Sequence, residues 1–86
     1  MQMTRVEIFE KLKEILVSAD ERNRALVENS TEESDLVRDF GFSSINMLYL
    51  VIAIEETFDI RFKEMGIGDL KKVGDVITYI EGEMKA

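Results

Sequence analysis

Val73, Val76, Ile77, Ile80 and Met84 stand at i, i+3, i+4, i+7 and i+11. That spacing gathers five apolar side chains on one side of a helix but would scatter them over both faces of a strand. A helix is therefore expected from Val73 towards the C-terminus. The same period appears between Thr4 and about Ser18, where Ile8, Phe9, Leu12, Ile15 and Leu16 alternate with Glu7, Glu10, Lys11, Lys13 and Glu14 on the remaining faces. Thr4 and Glu7 have the Thr-x-x-Glu spacing of a capping box, and Glu7 precedes Lys11 by four residues, the favourable order for a helical ion pair. This second amphipathic helix also has one face to bury, so the two are expected to share a core.

The run from Ile45 to Phe58 is harder to read, because Tyr49, Val51, Ile52 and Ile54 would suit a buried strand. Its length decides: roughly four helical turns, opened by Ser43-Ser44 and closed by Phe58-Asp59, exceed an ordinary strand. A central helix, buried on nearly all sides, is expected. Residues Ala19 to Phe42 are polar and irregular, with apolar anchors at Leu26, Val27, Leu36, Val37 and Phe40. They suggest a long loop with one helical turn near Glu33 to Asp39, and a loop of that length in so small a domain either counts against the assignment of elements or marks a functional loop. Asp59 to Phe62 reads as a short extended segment. Met65-Gly66-Ile67-Gly68 reads as a turn; with no strand before it and no full glycine fingerprint after it, its Gly-x-Gly is weak evidence for a phosphate loop, and a flexible connector is expected.

With 86 residues, the chain is expected to form one domain with room for one core. It contains no Cys and no His, which removes disulfides, thiol nucleophiles, imidazole bases and most zinc sites, so a self-contained enzyme is not expected. Eleven basic against 18 acidic residues give a net charge of -7, which repels nucleic-acid phosphates and anionic lipid surfaces. The longest apolar run, Met47 to Ile54, falls far short of the ~20 residues that cross a bilayer. No secretory signal is visible at the N-terminus, so a cytoplasmic location is expected. Between Glu28 and Asp59 eight acidic residues face Arg38 alone, either a solvated face or a docking surface for basic partners.

Ser43 and Ser44 can cap the central helix, and a helix start can also hold an anion on its free N-H groups. A phosphate esterified there would be well placed. The stretch Leu36-Val37-Arg38-Asp39-Phe40-Gly41-Phe42-Ser43-Ser44-Ile45 resembles the acyl carrier protein family, whose second helix opens on Gly-x-Asp-Ser-Leu. Ile54-Glu55-Glu56-Thr57-Phe58-Asp59-Ile60 is similar to the way that helix closes, and Val73-Gly74-Asp75-Val76 with Tyr79-Ile80 is similar to the family's final helix. The resemblance covers approximately Arg5 to Gly82.

It implies an all-α fold: a small four-helix bundle, three helices long and the third a short turn, with a long loop between helices one and two. It also implies that Ser44 receives 4'-phosphopantetheine from coenzyme A. A separate phosphopantetheinyl transferase makes the transfer with Mg2+, so the chain supplies a hydroxyl and no catalytic base. Acyl groups then travel as thioesters on the arm to acyl-loading and acyl-processing enzymes such as a ketosynthase or acyltransferase, the carrier acting as a monomer. Fatty acid synthesis and specialised lipid or polyketide pathways are the expected settings.

The sequence departs from the family pattern in three places. Ser43 replaces the aspartate before the modified serine, and Asn46 and Tyr49 replace acidic residues that partner enzymes read. Asp39, Glu55 and Glu56 keep their charge. The implied recognition face, Asp39, Ser43, Asn46, Met47, Tyr49, Glu55 and Glu56, is therefore less charged and more apolar, with Met47 also a candidate for the core. Two alternatives remain: an aminoacyl carrier, and an unmodified carrier-like interaction domain in which both serines only cap. If an acyl tail is sheltered, Leu48, Ile52, Ile54, Phe62 and Ile77 are expected around it.

Overall fold

The computed structural model describes residues 3–62 and 70–85, and within them the chain is helical. Helix α1 spans Arg5–Ala19, a short α2 spans Arg24–Glu28, α3 spans Ser44–Phe58 and α4 spans Val73–Lys85. The described residues thus form three long helices and one short one. The segment holding Met65 to Gly68, and with it the place where the family's short third helix would fall, lies outside the described residues.

The expected Thr4 box closes α1: Thr4 Oγ1 accepts from the Glu7 amide at 3.1 Å, and Glu7 Oε1 accepts from the Thr4 amide at 2.8 Å. Two orphan donors are satisfied at once. The buried face of α1 is Ile8, Leu12, Ile15 and Leu16, and α1 packs against both α3 and α4. The buried residues of α3, Met47, Leu50, Val51, Ile54 and Phe58, repeat the i, i+3, i+4, i+7, i+11 spacing of the α4 stripe. In α4, Val73, Val76, Ile77 and Ile80 are fully buried, each such side chain contributing about 1.5–3 kcal/mol over its exposed state. The central helix is not covered on nearly all sides, as its composition suggests: Ile45, Leu48, Tyr49 and Ile52 lie outside.

The connection after α1 is more ordered than its composition indicates. A 3-10 turn at Glu21–Asn23 runs into α2, pinned by Val27, which is 1% exposed. Beyond it, Leu36, Phe40 and Phe42 are buried, whereas Leu26 and Val37, expected as anchors, are exposed. The expected helical turn is present as two i,i+4 bonds, Asp39 N-H to Asp35 O and Gly41 N-H to Val37 O, both 2.9 Å.

Three backbone bonds lash the loop to the start of α4: Leu36 N-H to Lys71 O at 2.8 Å, Val73 N-H to Ser34 O at 2.9 Å and Gly74 N-H to Glu32 O at 2.8 Å. The last pair is a close approach that suits glycine, since a Cβ on Gly74 would sit 3.0 Å from the Glu32 carbonyl oxygen and push the loop back. Arg5 adds ion pairs to Glu32 at 2.6 Å and Glu81 at 2.9 Å, tying α1, the loop and α4 together. On the other side Asp59 closes α3 in a left-handed conformation, φ 55°, and the chain continues through Phe62, whose ring stacks on Tyr79 at 4.6 Å.

Candidate functional site

Gly41, at φ +67°, turns the chain into the start of α3, a backbone state that favours glycine. Phe40 and Phe42 on either side are buried, 5% and 4% exposed, with ring centroids 6.0 Å apart. The turn is thus anchored by its aromatics and leaves Ser43, Ser44 and Ile45 at the surface.

Ser43 is the cap. Its hydroxyl oxygen accepts from the Asn46 amide at 3.3 Å, while Asn46 Oδ1 accepts from the Ser43 amide and from the Ser43 hydroxyl, each at 2.9 Å. Ser44 is the first residue of the helix proper, one position too late to cap, and its side chain is exposed. The N-H groups of Ser44 and Ile45 have no carbonyl four residues back within α3. The first turn carries no acidic residue to oppose an incoming anion. A hydroxyl at the positive end of a helix, beside open N-H donors, fits a phosphodiester link.

The remaining expected recognition residues divide. Glu56 and Tyr49 are exposed on α3, Tyr49 at 44%. Glu55 is half-buried and accepts from the Phe62 amide at 2.8 Å, so it also holds the exit of α3. Asp39 is exposed and accepts from the Asp35 amide at 2.6 Å. Met47 is a correction: at 5% exposure it belongs to the core, because position 47 lies on the same helical face as Leu50, Val51 and Ile54. Asn46 is half-buried, with its amide nitrogen donating to the Ala19 carbonyl at 3.3 Å.

Two expected lining residues are also corrected. Leu48 and Ile52 are 52% and 48% exposed, one and two turns along the helix from Ser44. With Ile45, at 78%, and Tyr49 they form an apolar strip beside the serine. Phase would have shown it: once Phe58, Ile54 and Leu50 are set inward, the residues at 45, 48, 49 and 52 must point out. Ile54 and Ile77 are fully buried, and Phe62 is half-buried.

Among the described residues no group of His, Cys, Asp or Glu could hold a metal ion, and no helix is long and apolar enough to cross a membrane. No family model matches the sequence. The chain is 38% identical to the acyl carrier protein of Wolinella succinogenes over 74 residues, 86% of this chain and 93% of that one. It is 34% identical to that of Coprothermobacter proteolyticus over 85 residues, 95% and 96% of the two chains, and 31% identical to that of Thermotoga maritima over 81 residues, 94% and 96%. With this similarity running through nearly its whole length, the chain belongs to the acyl carrier protein family, and it is a carrier of acyl groups rather than an enzyme.

Proposed function

We propose that Ser44 is the attachment site of 4'-phosphopantetheine, and that residues 1–86 form one carrier domain serving cytoplasmic acyl-processing enzymes. The observation that carries this reading is the division of labour between the two serines. Ser43 takes the cap, so the Ser44 hydroxyl is exposed and at liberty to serve as a nucleophile, and the interaction-domain alternative, which needs both serines as caps, loses half its support. When bound, the arm supplies a thiol that holds acyl groups as thioesters. The chain's own part is to present the Ser44 hydroxyl, to stabilise the phosphate with the N-terminal N-H groups of α3, and to offer Ile45, Leu48, Tyr49 and Ile52, with Glu56 beyond them, to partner enzymes. The catalytic base for attachment comes from the transferase, consistent with a chain that lacks His and Cys. Ketosynthases and acyltransferases are the proposed later partners, with a monomeric carrier.

The test is intact mass spectrometry of the apo protein before and after incubation with coenzyme A, Mg2+ and a broad-specificity phosphopantetheinyl transferase. One added group is expected, mapped to Ser44, and Ser44→Ala should stay folded and apo. Modification at Ser43, or none under conditions that load a control carrier, overturns the proposal.

A further inference from the structure

The side chain of Asn46 serves two helices. Its Oδ1 accepts from the backbone N-H and hydroxyl of Ser43 at the N-terminus of α3. Its Nδ2 donates to the carbonyl of Ala19, the last residue of α1. Both ends match in polarity, since a helix N-terminus offers unpaired donors and a C-terminus offers unpaired acceptors. The orientation of the amide is also determined: reversed, it would set NH2 against the Ser43 N-H and oxygen against the Ala19 carbonyl. No acidic side chain could do this. A carboxylate can accept from Ser43, but it has no proton for Ala19 and would lie at the negative end of α1.

We infer that Asn46 is a positioning residue for Ser44, a neutral double cap that fixes the serine-bearing turn on the end of α1. The inference rests on Ser44 being the attachment site. It changes the meaning of the missing acidic residue at this position: what looks like a charge lost from a recognition face is an amide gained at a helix junction. A second amide secures the approach to the turn from the same connection, as Asn23 Nδ2 donates to the Phe40 carbonyl at 2.8 Å. A transferase that meets a turn already fixed does not have to order it on binding.

Two substitutions separate this role from charge. Asn46→Asp keeps an acceptor for Ser43, loses the donor to Ala19 and adds a negative charge; Asn46→Ala loses both contacts. If Asn46 mattered only as a missing charge, Asn46→Asp would speed loading by the transferase, most visibly at low salt. The double cap predicts the opposite sign once charge is screened. In high salt, kcat/KM for loading of Asn46→Asp should fall about fivefold, the worth of one hydrogen bond, with the change mainly in KM and a similar or larger fall for Asn46→Ala.

Amide hydrogen exchange provides a second arm independent of loading. The Asp20 amide, bonded to Leu16 O, and the Met47 amide, bonded to Ser43 O, belong to the two helix ends that Asn46 joins. Both should exchange faster in Asn46→Asp at matched global stability. Asn46→Asp loading as fast as wild type in high salt, or exchange unchanged at Asp20, overturns the inference. A wild-type protein that is never loaded at Ser44 overturns the attachment reading instead, and the exchange arm alone then decides whether the tether exists.

Discussion

Asn23 and Phe40, 17 residues apart, are joined by a 2.8 Å hydrogen bond from the Asn23 side-chain amide to the Phe40 carbonyl, in a site where Asn23 is only 8% exposed. Asn23 is the one buried polar side chain among the described residues. The bond ends where the chain turns towards Ser44, so it couples the stability of the loop to the presentation of the serine. Asn23→Leu should leave the Phe40 carbonyl unpaired and lower unfolding free energy by about 1–3 kcal/mol. Urea denaturation measures it, and a loss below the error of the method would show that the bond carries no weight.

Acid should loosen the same connection. Hydrogen bonds from the Arg38 amide at 2.7 Å, and then from the Val37 amide at 2.9 Å, hold the Asp35 carboxyl below its usual value of 3.8, and Arg22 does the same for Asp20, first through its guanidinium and then through its amide. A depressed folded value means that the stabilisation is complete above the unfolded pKa and disappears as pH falls through the folded one. Melting temperature should therefore decline as pH drops below about 4. Asp35→Asn, which keeps an acceptor but cannot titrate, should show a shallower decline; parallel curves would remove Asp35 from the explanation.

Tyr49 is exposed on the strip that begins beside Ser44, where basic partner residues that expect a carboxylate would be left unpaired. Loaded wild-type protein should be a poor substrate for a ketosynthase that works with strongly acidic carriers. Tyr49→Glu should raise its kcat/KM several-fold, the scale of one exposed charge pair, with the gain shrinking as salt is added. Identical turnover of the two proteins would place discrimination elsewhere.

An apolar tail hidden between the helices must displace packing around residues such as Ile54 and Ile77, which are fully buried. Each methylene buried contributes about 0.8 kcal/mol before the cost of parting the helices. Melting temperature is expected to rise from the arm alone through medium-length acyl forms and then level off as the space fills. A flat series would mean that the tail stays outside, as a short or polar aminoacyl cargo would.

What the sequence determined by itself is local. The α1 capping box, the α1 and α4 stripes and the start of α3 at Ser43-Ser44 depend on residues within four positions of one another, and a helix forms or fails on that scale. The motifs around Ser44 and Glu55-Glu56 were legible for the same reason. The tertiary structure decided what depends on distant partners. Met47 went inside and Leu48 and Ile52 outside because α1 covers one face of an apolar run whose composition is similar on both. The connection after α1 gained α2 because Val27 found the core and Asn23 found Phe40, contacts that no window of adjacent residues contains. Asn46 reads in sequence as a lost charge, and only folding shows its second role: the carbonyl that its amide meets belongs to Ala19, 27 residues earlier in the chain, and was left unpaired by the end of another helix.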